Sequence, residues 1–450
     1  MRILFLSTNR FRFDMAQPMP IGLACVIASI DENEHAIEVL DLMFSEDPSA
    51  ELAATLDEFR PELVAVSIRN TDNLSHLDLQ YFLPEAKQMI DLCRSASGAR
   101  IVVGGAAFTT VPEALFDYLE PDFGIAGEGE ISFPRLVECI ENGTDPSQLP
   151  GLVWRADAGI RANAPAFIED WTGFRLPRRD LFDLQKYTEM GGFSNIVVSQ
   201  GCPMRCLYCD DPHRLGRKQR RKAVEQVIDE LDAMSDEAGN TPIFFTAPIF
   251  NSPPSNAKNV CRGIIERGLQ IRWTALIHPA FLDEELALLM KRSGCVAVSL
   301  ACDSCSERML KTLRKDITKE QLEAAIALLE KHGILYILTI LFGGPGEDRE
   351  SIDETLDFLR DKKPMVVSFA LGIRILPNSP LAEVAVEQRL ISADDPLMEP
   401  KFYISPGVEG WAREYLKEKC AERDNWSFGL PDLPDDVLST GPGAMSMKPS

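Results

Sequence analysis

The sequence predicts an α/β protein of two parallel sheets: an N-terminal doubly wound sheet, a partial (β/α)6 barrel, and a small C-terminal region. Two observations predict it. Short apolar, β-branched runs bounded by turn residues alternate with segments of helical period, as in sheets buried on both faces. That alternation occurs twice, in residues 1–140 and in 194–378, with a stretch rich in Pro, Gly and Asp between. At 450 residues the chain is also too long for one ordinary core.

In order along the chain, Arg2–Ser7, Ala36–Leu42, Glu62–Ile68, Arg100–Val103 and Asp122–Ala126 read as strands. Helical patterns lie between them, such as Leu52, Leu56 and Phe59 at i, i+4, i+7. A doubly wound sheet binds its ligand in the crevice at the carboxyl ends of its strands. Those ends carry Arg69-Asn70, Gly104-Gly105-Ala106 and Gly127-Glu128-Gly129-Glu130. A dinucleotide would need G-x-G-x-x-G after the first strand. The run there, Ser7-Thr8-Asn9-Arg10-Phe11-Arg12, disfavours NAD.

Residues 141–193 read as a mixed connector. The second series then places strands at Asn195–Gln200, Pro242–Thr246, Gln270–Ala275, Val296–Leu300, Ile334–Phe342 and Val366–Ile375. Helices such as Ala223–Met234, Asp283–Arg292, Lys319–Lys331 and Ser351–Arg360 separate them. Six units are too few for a closed eight-fold barrel and suit an open one, with its active site at the C-terminal strand ends. Residues 379–428 read as a small, partly helical region, and 429–450, rich in Pro, Gly, Asp and Ser, as a disordered tail.

Composition, 45% hydrophobic and 26% charged, is that of a globular protein. Residues 1–7 read as a strand rather than a signal peptide, and no run is long enough to cross a bilayer, so no membrane partner is expected. The 11 cysteines are odd in number and scattered outside one cluster, which argues for a reduced, cytoplasmic setting. A net charge of −23 makes nucleic acid a poor partner. Arg214–Lys222 is a local basic run, equally readable as a solvated helix start.

After the first barrel strand comes Gly201-Cys202-Pro203-Met204-Arg205-Cys206-Leu207-Tyr208-Cys209. Three thiolates in one tight loop can converge on a single metal centre. Four cysteines would saturate a four-iron cluster, whereas three leave one iron open. The alternatives are core thiols, or a zinc site with His213 as fourth ligand.

The C-x3-C-x2-C spacing, with Tyr208 before the last cysteine, resembles the radical SAM superfamily. The order of sheet domain then cysteine-bearing barrel resembles its cobalamin-binding branch, over nearly the whole chain to about residue 410. Further phrases carry the likeness: Pro20-Ile21-Gly22-Leu23, Val103–Thr109 with Pro112-Glu113, Gly127–Glu130, Gly343-Gly344-Pro345-Gly346-Glu347 and Arg374-Ile375-Leu376-Pro377. The resemblance implies a [4Fe-4S] cluster on Cys202, Cys206 and Cys209, with S-adenosylmethionine on the open iron. It implies cobalamin against Pro20, Gly22, Arg69, Asn70, Gly104, Gly105, Gly127, Glu128 and Gly129. For S-adenosylmethionine it implies contacts from Tyr208, Thr246, Asp303, Ser304 and Arg374.

This chain departs from the family in several places. The cobalt-ligating motif D-x-H-x-x-G is absent, and His76 has Leu74 where its aspartate should be. Arg69-Asn70-Thr71-Asp72-Asn73 occupies that strand end instead. An arginine below the corrin would not coordinate cobalt and would favour a low-coordinate metal that parts readily with a methyl group. Arg69 is therefore the candidate catalytic residue, the alternative being an exposed strand end or ion-pair partner. The second barrel strand runs into Phe244–Asn251, where Thr246 and Asn251 remain able to hydrogen-bond. Ala301-Cys302-Asp303-Ser304 stands where Gly-x-Glu-Ser is usual, leaving Asp303 for the ribose and Ser304 as contact or helix cap. Glu128 and Glu130 read as ligand contacts or helix caps. Cys302 and Cys305 read as core thiols or as a fourth ligand or hydrogen donor, and His278 as structural or acid–base.

The implied function is transfer of a methyl group from S-adenosylmethionine, via methylcobalamin, to a carbon or phosphorus centre of a small molecule. The implied setting is a biosynthetic pathway, with an external flavodoxin- or ferredoxin-type electron donor. Two alternatives stand beside it. One is a cyclase or rearrangement enzyme, with or without cobalamin. The other is a non-catalytic iron–sulfur electron-transfer or sensing protein, against which the barrel argues, because a carrier needs no substrate cavity.

Overall fold

A computed structural model describes residues 1–11, 18–238 and 241–429; Arg12 and the expected disordered tail beyond Gly429 lie outside them. Strands β1 (Arg2–Ser7), β2 (Ala36–Asp41), β3 (Leu63–Ser67), β4 (Arg100–Gly104) and β5 (Phe123–Ile125) pair in parallel in the order β2-β1-β3-β4-β5. The order reverses at β1 and β3, which is where such a sheet opens its crevice. Helices α1 (Ile21–Ala28), α2 (Pro48–Phe59), α3 (Leu83–Ala96), α4 (Ala106–Thr110), α5 (Pro112–Leu119) and α6 (Gly129–Asn142) cover both faces. Leu4 and Leu6 of β1 pack with Leu52 and Leu56 of α2 and Ile90 of α3. Ile3 and Phe5, pointing the other way, pack with Leu23 and Ile27 of α1 and Leu136 of α6. Burial on both faces is why these strands read as unbroken apolar runs.

The sheet extends further than its five parallel strands. β6 (Leu152–Ala156) and β7 (Gly159–Ala162) form a hairpin that adds antiparallel to β5, inside the stretch that composition marks as connector. A short helix, α7 (Leu184–Glu189), leads into the second unit.

There β8 (Asn195–Val197) ends early. β9 (Ser199–Gln200) leaves the sheet to pair antiparallel with β10 (Arg220–Arg221), which splits the expected strand at Val198; between them lies α8 (Asp211–Arg214). Then follow α9 (Val224–Ala238), β11 (Ile243–Thr246), α10 (Pro254–Arg267), β12 (Trp273–Ile277), α11 (Glu284–Arg292), β13 (Cys295–Asp303), α12 (Glu307–Thr312), α13 (Lys319–His332), β14 (Leu335–Phe342), α14 (Arg349–Leu359) and β15 (Val366–Leu371). β12 begins three residues later than expected, because α10 closes on Gly268 at φ 74° and residues 269–272 complete that turn. The chain ends with β16 (Ile373–Arg374), α15 (Pro380–Glu387), β17 (Phe402–Tyr403), α16 (Ala412–Cys420) and β18 (Trp426–Phe428). β18 returns to pair with β15, giving a seven-stranded parallel sheet, β18-β15-β14-β13-β12-β11-β8, one strand more than the six expected. The run Val366–Ile375 breaks at Gly372 (φ 89°), where a Cβ would stand 3.1 Å from the His76 side chain.

That close approach is part of a seam between the two units. The segment after β3 folds onto the last barrel strands. Asp72 pairs with Arg374 at 3.1 Å, and the His76 ring stands 5.3 Å from that of Phe402. On the other flank Arg220 grips Glu128 with both terminal nitrogens, at 2.7 and 2.8 Å. Thr110, at the end of α4, donates to Asp210 at 2.9 Å.

Candidate cofactor site

The cysteine loop leaves β9 at Gly201, whose φ is 83° and whose Cβ, if present, would lie 2.1 Å from the Lys218 carbonyl oxygen. Backbone bonds then fix the loop: Cys202 N to Gly216 O at 2.9 Å, Leu207 N to Leu313 O at 3.0 Å and Cys209 N to Cys206 O at 3.3 Å. Cys202 is buried, Cys206 and Cys209 are half-buried, and all are free thiols. Burial pushes the Cys202 thiol up to about 11. Burial raises Cys206 too, against the pull of Lys315. Among the described residues, one trio of metal-binding side chains brings its ligand atoms within 4.8 Å of one another, and it is Cys209, Asp210 and Asp211. Zinc at about 2.3 Å from each sulfur would need the cysteines closer than that. His213 is exposed and does not join them. Asp210 and Asp211 are engaged by Thr110 and Arg214. Three thiols set apart on one rigid loop, without a fourth, fit a cluster with an open iron.

Beside the loop lies a buried charged group that the sequence did not single out. Lys315, 4% exposed, places Nζ 2.5 Å from Asp303 Oδ2 and donates to the Tyr208 hydroxyl at 3.2 Å. Tyr208 in turn donates to the same Asp303 oxygen. Burial, and then the Asp303 charge, push the Tyr208 hydroxyl well above its usual range. Lys315 sits in Leu313-Arg314-Lys315-Asp316, a charged run that reads as solvated surface. Nearby, Thr246 Oγ1 and His278 Nδ1 are buried without a partner. An orphaned hydroxyl at a strand end beside the cysteines is what a bound polar ligand would satisfy.

At the first sheet's edge, Arg69 follows β3 and is largely withdrawn from water. Its Nη1 reaches Pro18 O at 3.5 Å, and no carboxylate among the described residues pairs with it. Burial pulls its pKa below the usual value. Asn70 is half-buried beside it. Pro20 caps α1, and Gly22 faces open space, with nothing within 4 Å of a Cβ there. A half-buried guanidinium with no carboxylate partner among the described residues, close to an open helix start, fits a large polar ligand lying across this edge. Gly104 closes β4 beside it.

Several of the expected contact residues have partners within the chain. Glu128 accepts both Arg220 nitrogens and the Ile168 amide (2.5 Å), so its oxygens are engaged at the seam. Arg374 is spent on Asp72, Ile375 O and Leu397 O. Ser304 shares its hydroxyl with Thr355 at 3.3 Å and accepts from the Ser306 amide. Gly105, Gly127 and Gly129 owe their lack of a side chain to Ile68, Pro165 and Val26, each under 3.0 Å from a Cβ. Asn251 exchanges bonds with the His278 backbone at 2.8 and 2.9 Å. Cys302 and Cys305 are core thiols in the main barrel cluster.

Glu347 closes the loop after β14 by accepting from the Gly343 amide and, at 3.0 Å, from Gly344. Burial pushes its carboxyl from 4.5 up to about 7. A folded-state pKa raised in this way gives stability that is full below about 4.5 and lost as pH rises through 7. Glu347→Gln is expected to flatten the fall in unfolding midpoint between those values, a slope of at most about 1.4 kcal/mol per pH unit. Identical slopes for parent and variant would refute it.

Comparisons with known proteins bear on these features. The family model described as Radical SAM superfamily matches residues 196–359, and that of the B12 binding domain matches residues 16–137. An uncharacterized methyltransferase of Pyrococcus horikoshii is 27% identical, over 90% of this chain and 89% of its own. The tryptophan 2-C-methyltransferase of Streptomyces laurentii is 26% identical, over 92% of this chain and 82% of its own. Among solved structures, the radical S-adenosylmethionine methyltransferase TsrM of Kitasatospora setae, with tryptophan and a SAM analogue bound, superposes with a TM-score of 0.84. It is 25% identical, and the match covers 96% of this chain and 91% of that one.

Proposed function

We infer that the chain, which matches a B12-binding domain and then a radical SAM domain, belongs to the cobalamin-binding radical SAM family. From that premise, we propose that it transfers a methyl group from S-adenosylmethionine to a carbon or phosphorus centre of a small molecule in a biosynthetic pathway. The bound groups, a [4Fe-4S] cluster, S-adenosylmethionine and cobalamin, supply the difficult chemistry: reductive activation and methyl relay. The chain supplies placement. Cys202, Cys206 and Cys209 hold the cluster, while Thr246 and Asp303 orient S-adenosylmethionine on its open side. Pro20, Gly22, Asn70, Gly104 and Arg69 would border the corrin. The Streptomyces laurentii relative acts, by its name, on tryptophan, in keeping with a small acceptor. Electrons come from an external flavodoxin- or ferredoxin-type donor. The eleven free cysteines fit a cytoplasmic setting. Among the described residues no helix is long and apolar enough to cross a membrane.

One observation carries this reading. Thr110, at the ligand edge of the first sheet, bonds to Asp210, the residue after the last cluster cysteine, at 2.9 Å. The end of α4 in the first unit thus meets the cysteine loop of the second, which supports a shared site for the two cofactors. Protein reconstituted anaerobically with iron, sulfide and cobalamin, then given S-adenosylmethionine and a low-potential reductant, should form S-adenosylhomocysteine only when cobalamin is present. Formation at the same rate without it would refute methyl relay.

Arg69 supplies a second test. Its guanidinium has no lone pair for cobalt, so the cob(II)alamin form should show no nitrogen splitting from a protein imidazole in paramagnetic resonance. Arg69→Lys should keep fold and cluster but slow methyl transfer about tenfold, or about 1.4 kcal/mol. A histidine nitrogen signal, or an unchanged rate with unchanged cobalamin affinity, would remove Arg69 from this role.

A further inference from the structure

The Lys315 ammonium has three protons to donate. Asp303 takes one at 2.5 Å and Tyr208 another at 3.2 Å. Tyr208 stands between Cys206 and Cys209, so these bonds hold the ammonium beside the cysteine loop. The lysine is held there firmly. His278 Nε2 lies 3.0 Å from its carbonyl oxygen, and Leu313, two residues before it, accepts from Leu207 of the cysteine loop. The backbone is also left-handed at three non-glycine positions around this contact: Asp303 (φ 62°), Arg314 (56°) and Asp316 (52°). Strain of this kind persists only where the surroundings impose it, and it gathers at functional sites. Asp303 sits at a register shift in β13, so the bulge delivers its carboxylate to the lysine.

We propose that Lys315 tunes the cluster: its ammonium, buried beside the cysteine loop, raises the cluster's reduction potential, with Asp303 and Tyr208 holding it in place. The inference rests on Cys206 being a cluster ligand. Hydrogen bonds to ligand sulfurs and nearby charge set the potential of iron–sulfur centres. A cation favours the reduced, more negative state, and an anion disfavours it. The lysine and the aspartate therefore act with opposite signs on one centre. Without the lysine the cluster still forms but a given donor reduces it less readily.

The test is a redox titration of the reconstituted cluster, without S-adenosylmethionine, followed by paramagnetic resonance. Lys315→Met should make the cluster about tenfold harder to reduce, which is about 59 mV lower for one electron. Asp303→Asn should move it the other way, and Lys315→Arg should restore the parent value. Removing the lysine alone leaves Asp303 buried without its partner. The double variant Asp303→Asn with Lys315→Met removes that strain and should titrate between the two single variants. Potentials unchanged in every variant with full iron content would overturn the proposal. So would weaker S-adenosylmethionine binding at an unchanged potential, which would make Lys315 a substrate contact. Iron lost from all the variants but kept by the parent would make it a structural residue and also count against the proposal. A parent that takes up no cluster would refute the cluster assignment itself.

Discussion

Replacing Cys202, Cys206 and Cys209 together by alanine is expected to abolish the brown chromophore and every trace of S-adenosylmethionine cleavage. The loop that carries them is fixed by its own backbone, from Gly201 to the Leu207–Leu313 bond, and does not depend on the thiols for its shape. The triple variant should therefore fold with both sheets intact, and its circular dichroism should match the parent's. Metal binding draws its energy from deprotonated ligands. With all three thiols gone, Cys302 and Cys305 cannot substitute, since both are fully buried in the barrel core. Iron and sulfide at parental levels in the triple variant would sink the assignment.

The second large effect is on stability. Arg220 and Glu128 are 2% and 10% exposed at their side chains, and the guanidinium also donates to Ile168 O and Leu215 O while its carbon lies 4.8 Å from the Phe167 ring centre. Truncating one member of such a pair leaves the other charge buried, at a cost of about 3–5 kcal/mol. Glu128→Gln should lower the urea midpoint accordingly. Combining it with Arg220→Met should recover much of the loss, because no charge is then stranded. A single variant within about 1 kcal/mol of the parent would show that the seam takes in water at this point.

What the sequence disclosed and what it hid follow one physical line. β1 was legible to the residue, because a strand buried on both faces is a plain apolar run closed by Thr8. α13 was legible over Lys319–Lys331, and in the structure Thr318 and Gln321 cap it reciprocally. α10 was not among the helices read from the sequence; Pro254 opens it. β18 was hidden because three residues carry no periodicity and their partner lies some sixty residues away. In the site, the cysteines were legible because their chemistry is local. The partners of Glu128 and Arg374 were hidden for the opposite reason. Each is spoken for by a residue far along the chain, Arg220 and Asp72, and nothing near either one announces it.

The Asp72–Arg374 pair spans 302 positions of sequence. At about 5–20 residues per second of synthesis, the aspartate waits roughly 15–60 s on the ribosome for its partner to be made. The first sheet can form in that interval, since its strands and covering helices all precede residue 163. The segment that follows β3 cannot settle until the last barrel strands arrive to receive Asp72 and His76. The edge at Arg69, proposed here to meet the corrinoid, is thus begun first and finished last. Loading of the corrinoid belongs at the end of biosynthesis, on a complete chain, and a truncated chain would present a folded sheet with an unfinished rim.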